Sequence, residues 1–360
     1  MKKLLDGQDL RDIVAGATLL GGGGGGSPID GLKFVDKIVQ VTKGIELVDP
    51  KEVSDDKYVA TIAGMGAPKV LRERGFDVEA IYAYEGLEKI YAIVGVKFNY
   101  IMPGEIGGFN TLTPMYVAAH KKLPVVDADG NGRAVPELGT TLYHVYGIPT
   151  SPFVLADRNN NIVVGYTNDP FDANTCENIA RNVTVSFGMS SGFGTWIVNG
   201  KQIRDCLATN TVTQCMEIGS AMRESVKNKK DPVKAVLDIT GGKELIRGKI
   251  TDISTKTVAG FDFGKTTIES TKPKKKITVE FKNENIITRD ESGEPLVMVP
   301  DLTSIMTMKG EALTNADTEV GMEVAILAIP AHEKWKHPKA FDVWKHILEK
   351  MGYTGSYKPI

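Results

Sequence analysis

The stretch FNYIMPGEIGGFNTLTPMYVAAHKK, Phe98–Lys122, contains the unit from which the fold can be inferred. Its first part, Phe98–Glu105, is predicted to be a strand that ends in a Pro-Gly turn. Its last part, Asn110–Lys122, is predicted to be a helix, and a glycine-rich loop joins the two. A strand followed directly by a helix is the repeating unit of α/β proteins.

Similar units lie on both sides of this stretch. Strands are predicted at Tyr58–Gly64 and Leu123–Asp129, and helices at Val78–Tyr91 and Val135–Gly147. Such alternation favours a mainly parallel sheet with helices packed on its faces. We therefore predict an α/β domain over residues 1–166.

Two helices are predicted before the first of these strands. Asp9 is the expected N-cap of the first, and Gly21 ends it. Six consecutive glycines follow, Gly21–Gly26, and Ser27 with Pro28 forms a strong start for the next helix. The glycines therefore form a loop that leads into a helix N-terminus, and we call Gly21–Gly26 the glycine loop.

The pattern changes after residue 166. Short strand candidates dominate from Glu244 to about Ile329, after a region with helical segments, and Phe341–Tyr353 is predicted to be a terminal helix. This pattern favours a second, β-rich and barrel-like domain over residues 167–360, with helical insertions.

Composition limits the classes of function. The net charge of −2 over 360 residues gives no broad attraction to nucleic acid or to an anionic membrane. No apolar run approaches the length of a membrane span, and the three cysteines form no C-x-x-C pair. We expect a cytoplasmic protein that binds neither nucleic acid nor membrane, and a homo-oligomer is left open.

The first candidate site loop is PGEIGGFNTLTP, Pro103–Pro114, which follows a predicted strand. It supplies a carboxylate, Glu105, followed by Gly107 and Gly108 and then by Asn110 at a helix start. Backbone N–H groups at such a helix start can hold an anion or a polarised carbonyl. The alternative is a tight turn in which Asn110 only caps the helix.

The second candidate loop is VVDADGNGRAVPEL, Val125–Leu138. Its D-x-D-x-N-G opening resembles a calcium-binding EF-hand loop, but the twelfth position is Leu138 and Glu137 stands one residue too early. Asp127 and Asp129 remain good ligands for a divalent cation, and Arg133 is a good clamp for a carboxylate. The alternative is a solvated Asp/Gly turn.

The glycine loop is a third candidate wall of the same site. Residues free to adopt positive φ can direct several N–H groups into one concavity at the helix that starts after Ser27. The loop lacks the Lys-Ser/Thr of a phosphate-binding P-loop, and a helix instead of a strand precedes it. Gly23, Gly24, Gly25 and Ser27 are the substrate-binding candidates here.

Taken in chain order, these segments resemble the S-methyl-thiohydantoin desulfurase family. The resemblance covers nearly the whole chain and rests on LLDGQDLRDIVAGATLLGGGGGGSP, AGMGAP (Ala63–Pro68), GEIGGFNTLTP and VVDADGNGRAVPEL, and later on GGKELIRGKITDI, GFDFG and VPDLTSIM. It implies an N-terminal α/β domain and a C-terminal β-rich domain. It also implies chemistry on hydantoin-like cyclic imides: water replaces ring sulfur by oxygen and a thiol or hydrogen sulfide leaves. A hydantoinase- or oxoprolinase-type partner is implied as well.

A mechanism can be proposed from these residues. A divalent metal ion on Asp127 and Asp129, or a carboxylate base among Glu105, Asp127 and Asp129, would activate the water. The remaining substrate-binding candidates are Gly107, Gly108, Asn110, Arg133 and Glu137, with backbone N–H groups holding the oxyanion and Arg133 a substrate carboxylate. Two alternatives stay open: a non-catalytic ligand-binding or accessory subunit of a hydantoinase system, and an interaction protein whose acidic loop is only surface.

Overall fold

The computed structural model describes residues 3–66, 70, 74–258 and 260–360. The described strands form two eight-stranded sheets and one two-stranded pair. Strands of the first sheet and of the pair are β1 Lys3–Leu5, β2 Ile45–Val48, β3 Tyr58–Gly66, β4 Phe98–Pro103, β5 Val125–Val126, β6 Ala128–Asp129, β7 Phe153–Ala156, β8 Ile162–Gly165, β9 Ser190–Asn199 and β10 Ala208–Thr209. Those of the second sheet are β11 Lys243–Val258, β12 Phe261–Thr271, β13 Lys274–Lys282, β14 Glu284–Asp290, β15 Pro295–Met298, β16 Leu302–Thr307, β17 Ala312–Leu313 and β18 Glu323–Ile329.

The described helices lie mostly in the first two thirds of the chain. They are α1 Gly7–Leu20, α2 Pro28–Val41, α3 Val78–Ala92, α4 Leu112–Lys121, α5 Leu142–Val145, α6 Ala173–Ser186, α7 Gly200–Cys206, α8 Thr211–Lys227, α9 Pro232–Thr240 and α10 Lys345–Lys350. Short 3-10 turns occur at Pro50–Glu52, Leu138–Thr140, Asn315–Asp317, Glu333–Lys336 and Asp342–Trp344. Among the described helices, none combines the length and the apolar character that a bilayer crossing requires.

The first sheet is mixed. Its strand order is β1-β2-β5-β4-β3-β9-β7-β8, and β2, β5, β4 and β3 form a parallel centre. β1, β9 and β8 pair antiparallel with their neighbours, while β7 again runs in the direction of the centre. The expected parallel α/β core is therefore present, with antiparallel strands on both sides. β9 lies between β3 and β7 although it follows residue 166 in the chain.

The second sheet is open, so the predicted barrel-like closure is wrong. Its order is β15-β14-β13-β12-β11-β18-β16-β17 with every pair antiparallel, and its edge strands β15 and β17 form no ladder with each other among the described residues. Side chains bring β14 close to β16: the hydroxyl oxygens of Thr288 and Thr303 are 2.8 Å apart. The sheet thus curls without closing. The predicted β-rich content and terminal helix are present.

The two ends of the glycine loop are set by local signals. Asp6, not Asp9, is the N-cap of α1, and Asp9 instead completes the capping box from the third helical position. At the other end the Gly21 N–H donates to the carbonyl of Ala17, 2.8 Å away. Ser27 caps α2 as predicted, and its hydroxyl accepts from the N–H of Ile29 at 3.2 Å.

The main apolar core is shared by both domains. It joins residues of α1, such as Leu19, with Leu302 of β16 and Leu327 of β18. The buried hydroxyl of Ser304 also donates to the carbonyl of Leu19 at 2.7 Å. The two domains are consequently packed as one body around the glycine loop. The strand predicted to end at Gly64 continues to Gly66, so the first four residues of the AGMGAP segment belong to β3; Ala67 and Pro68 lie outside the described residues.

Candidate active site

A cavity of about 860 Å³ lies between the two sheets. The first domain lines it with the end of β3, with Gly104 and Glu105 just after β4, and with the glycine loop. The second domain lines it with β11, β13 and the start of β14, including Phe281 and Glu284. Parallel sheets bind ligands beyond the carboxyl ends of their strands, and the cavity occupies that position.

The predicted site residues divide into two groups. Those that line the cavity are Gly23, Gly24, Gly25, Ser27, Glu105, Asn110 and Glu137. Those that do not line it are Gly107, Gly108, Asp127, Asp129 and Arg133. The structure therefore brings the glycine loop and the Glu105 loop together, whereas most of the acidic loop faces elsewhere.

Close contact between two main-chain segments explains why part of the glycine loop must be glycine. Gly25 has a φ of +77°, and a Cβ built on it would lie 2.4 Å from the Cα of Gly107. The carbonyl of Gly25 accepts from the N–H groups of Phe109 and Asn110, at 3.2 and 3.1 Å. The N–H of Gly107 already donates to the hydroxyl of Thr111 at 3.0 Å. Side chains at Gly25 or Gly107 would push the two loops apart.

The glycine loop also joins the two domains. The carbonyl of Gly22 accepts from the N–H of Asn285 at 2.7 Å, and that of Gly23 accepts from the N–H of Asn315 at 2.8 Å. Both asparagines belong to the second domain. The side-chain Oδ1 atoms of Asn285 and Asn315 are buried and have no hydrogen-bond partner. Unpartnered acceptors of this kind are costly and are expected where a ligand or water supplies a donor.

Glu105 is the central carboxyl group of the first domain in the cavity. It lies two residues after the end of β4. Its Oε2 accepts from the N–H of Val135 at 2.7 Å, and its Oε1 accepts from the side chain of Asn110. Burial raises the pKa of Glu105 to about 7, although these two donors and the charge of Arg133 act in the opposite direction. Glu105 is therefore able to gain or lose a proton near neutral pH.

Glu284 is a second carboxyl group that the sequence analysis missed. It is the first residue of β14, and its side chain is buried with one oxygen, Oε2, unpartnered. Burial and then the charge of Glu105 raise the pKa of Glu284 to about 8, while Arg133 and the N–H of Gly25 lower it. The only hint in the sequence is the polar Asn283-Glu284-Asn285 run before an apolar strand. We call Glu105 and Glu284 the carboxyl pair.

Glu137 lines the cavity but its carboxylate is already paired. Oε1 accepts from the ammonium group of Lys282, and Oε2 lies 2.6 Å from Nε2 of His346 on α10. Lys282 is buried against the ring of Phe261, with Nζ 4.1 Å from the ring centre, and burial lowers its pKa to about 8. Glu137 thus fixes the terminal helix to the cavity wall.

Asp127 and Asp129 each accept hydrogen bonds from the main chain, Asp127 from α8 and Asp129 from its own loop. Asp127 accepts from the N–H and the hydroxyl of Thr213, at 3.0 and 2.5 Å, in the first turn of α8. Asp129 accepts from the N–H groups of Asn131 and Gly132, at 2.8 and 2.9 Å. Burial raises the pKa of both carboxyl groups, that of Asp129 to about 7. These bonds give both carboxyl groups a role in holding the main chain, and neither residue lines the cavity.

The described residues contain no cluster of possible metal ligands. Nowhere in the described ranges do three or more His, Cys, Asp or Glu side chains converge in an arrangement that could hold a metal ion. The metal expected from the sequence remains a prediction to be tested by metal analysis.

Arg133 is fully buried and bonded to main-chain carbonyl groups. Its guanidinium donates to the carbonyls of Pro300 and Asp301, at 2.8 and 3.0 Å, and to those of Ala134 and Asn285, at 2.9 and 3.3 Å. Three of these carbonyls belong to the second domain. Arg133 therefore connects the domains behind the carboxyl pair, and its positive charge favours the ionised form of both acids.

Comparisons with known proteins cover nearly the whole length of the chain. The family model described as S-Me-THD-like, N-terminal domain, matches residues 8–167, and the one described as S-Me-THD-like, C-terminal domain, matches residues 172–360. A crystal structure of a protein from Chromobacterium violaceum is similar with a TM-score of 0.88 and 25% identity, over 99% of this chain and 100% of that one. No curated protein matches significantly. The two family models together span nearly all of the chain, which therefore belongs to the S-Me-THD-like family, the family of S-methyl-thiohydantoin desulfurases.

Proposed function

We propose that this protein is an enzyme that uses water to replace the sulfur on a ring carbon of a thiohydantoin-like cyclic imide by oxygen. The observation that carries the proposal is that Glu105 and Glu284 line one cavity with the glycine loop, near enough for the charge of Glu105 to raise the pKa of Glu284. Two carboxyl groups whose pKa values lie near neutrality can act as acid and base in the same reaction. Family membership supplies the substrate class.

The surroundings of the two acids suggest which one is the base. Glu105 accepts hydrogen bonds from Val135 and Asn110, and these donors favour its ionised form. Glu284 is the more deeply buried of the two and keeps one oxygen without a partner. We assign Glu105 as the general base and Glu284, in its protonated form, as the general acid.

The reaction then balances without any further group. In an S-alkylated thiohydantoin the sulfur-bearing ring carbon is doubly bonded to a ring nitrogen. Glu284 gives its proton to that nitrogen as the double bond opens, while Glu105 takes a proton from water and the hydroxyl oxygen bonds to the carbon. In the second step the carbon–sulfur bond breaks, and the leaving thiolate takes the proton from Glu105. The hydroxyl proton returns to Glu284 as the new ring carbonyl forms, so both carboxyl groups regain their starting states.

No step is assigned to Asp127 or Asp129, because neither side chain lines the cavity and both bond main-chain N–H groups. A catalytic role for these two residues and a substrate-carboxylate role for Arg133 stay predictions. The hydantoinase-type partner, the homo-oligomer and the cytoplasmic location also remain predictions.

The direct test is turnover of an S-methyl-thiohydantoin by the purified protein, followed as thiol release with a thiol-reactive dye. We expect turnover by the wild type and its loss in Glu105→Gln. Binding of the ring without thiol release in either protein would overturn the proposal and favour the non-catalytic ligand-binding subunit.

A further inference from the structure

The cavity has an apolar half that the carboxyl pair does not use. Its floor is the end of β3, where Ala63, Gly64 and Gly66 leave little or no side chain. Its walls are apolar and largely aromatic. They comprise Phe34, Phe76 and Phe109 on one side and Met65, Leu138, Val185, Met189, Phe193 and Trp196 on the other.

The aromatic side chains of each wall are packed against one another. The rings of Phe34 and Phe109 stack at 5.2 Å between centres, and Phe76 meets Phe109 edge-on at 5.4 Å. In the other wall the rings of Phe193 and Trp196 meet edge-on at 6.5 Å. Walls built from packed rings are already formed without a ligand, so the apolar half presents a fixed surface.

This apolar half is continuous with the carboxyl pair. Gly104 immediately precedes Glu105, and a Cβ on Gly104 would lie 3.6 Å from the Trp196 ring. A ring substrate whose reacting carbon is next to Glu105 would therefore direct a neighbouring substituent onto Trp196 and the apolar floor.

The charges of the described lining residues disfavour an acidic substituent. Six carboxyl side chains line the cavity, Asp30, Glu105, Glu137, Glu177, Asp262 and Glu284, against three cations, Lys33, Lys37 and Arg181. Each of these described cations is bonded to a carboxylate: Lys33 to Asp30, Lys37 to Asp77 and Arg181 to Glu177, at 2.6 to 2.7 Å. An anionic substituent on the ring would face an excess of carboxyl groups, and no free cation is present among the described lining residues.

We propose that the substrate ring carries a large uncharged apolar substituent, aryl or branched alkyl, which packs into the apolar half of the cavity. The inference rests on the proposed function for the ring itself. Size supports it, since a cavity of about 860 Å³ suits a drug-sized ligand and a bare five-membered imide would leave most of it empty.

Binding of product rings tests the substituent separately from turnover. Isothermal titration calorimetry with hydantoin, 5-benzylhydantoin and hydantoin-5-acetic acid compares three ligands with the same ring. The first has no substituent, the second an apolar one and the third an acidic one. We expect 5-benzylhydantoin to bind at least about tenfold more tightly than the other two, because burial of an aromatic group contributes that much.

Two variants test the location. Val185→Lys places a charge in the wall, and Val320→Lys is its matched control because both valines are 62% exposed and Val320 lies outside the cavity. Met65→Ala removes apolar surface from a buried part of the same wall. Val185→Lys and Met65→Ala should each reduce the preference for the benzyl ring at least about threefold, while Val320→Lys keeps it.

The outcomes separate this inference from the proposed function. Equal affinities for the three rings, tighter binding of the acetic acid, or a benzyl preference unchanged in both wall variants would overturn the inference even if thiol is released. Tight, wall-dependent binding of 5-benzylhydantoin without thiol release from its S-methyl-thio counterpart would support the inference and overturn the reaction. If no ring binds and none is turned over, both are wrong.

Discussion

Glu284 of the second domain contacts the glycine loop of the first domain at Gly24 and Gly25. A Cβ built on Gly24 would lie 2.0 Å from Oε1 of Glu284, and the N–H of Gly25 lowers the pKa of the same carboxyl group. Glu105, whose charge raises that pKa, comes from the first domain. The carboxyl pair therefore exists only when the two domains are docked, and the glycines make that docking sterically possible.

The first prediction concerns the acids themselves. Glu105→Gln and Glu284→Gln should each reduce kcat/KM at least about a hundredfold, because a positioned acid or base contributes that much. Glu294→Gln is the control, since Glu294 is 72% exposed and lies in the turn just beyond β14. Turnover by the Gln variants within a few-fold of the wild type would remove both residues from the mechanism.

The second prediction is the pH profile of kcat/KM for the wild type. Glu105 must be ionised, so the rate should rise as pH passes about 7, and Glu284 must be protonated, so the rate should fall above about 8. Any residual activity of Glu284→Gln should lack the alkaline decline. A profile that stays flat from pH 5 to 9 would contradict the assignment of both acids.

The third prediction concerns stability. The pKa of Glu284 rises from an ordinary 4.5 to about 8 on folding, so the folded state binds more protons than the unfolded state between these values. The free energy of unfolding should therefore fall as pH rises through this window. Glu284→Gln removes one ionisation and should flatten the decline, leaving the variant more stable than the wild type at pH 8 and similar at pH 5, in urea unfolding followed by circular dichroism.

Some of this site could be predicted from the sequence because it depends on short segments. Glu105 and Ser27 could be placed at a strand end and at a helix start by local rules of turns and caps. The parallel centre of the first sheet follows from the alternation of strands and helices. These features need no knowledge of distant contacts.

The remaining features depend on contacts far apart in the chain. Glu284 stands 179 positions after Glu105 in the numbering, and nothing near it predicts that β14 will approach the glycine loop. Arg133 looks like a substrate clamp from its neighbours, yet its partners are carbonyls near residue 300. The predicted barrel failed for a similar reason, because local strand signals do not fix which edges of a sheet pair.

A fourth prediction separates two costs of replacing a glycine. Gly25→Ala should destabilise the protein by about 3 kcal/mol or more, because its Cβ would meet the backbone of Gly107 in addition to the cost of positive φ. Gly352→Ala is the matched control: Gly352 has a φ of +74° and no atom within 4 Å of its Cβ position, so only about 1–2 kcal/mol is expected. Equal losses in urea unfolding would show that the glycine loop is not closely packed.

The fifth prediction concerns Asp127, which bonds the first turn of α8 through Thr213. Asp127→Ala should lower the free energy of unfolding by about 1–2 kcal/mol, as loss of an N-cap does. Asp231→Ala is the control for loss of a helix cap, because Asp231 caps α9 through the N–H of Val233 at 2.9 Å and lies outside the cavity. Both variants should retain turnover within a few-fold of the wild type. Elemental analysis of the wild type and Asp127→Ala decides between this role and the metal site expected from the sequence: a stoichiometric metal that is lost together with turnover in Asp127→Ala would establish metal-assisted hydrolysis and displace the carboxyl pair as the source of the activated water.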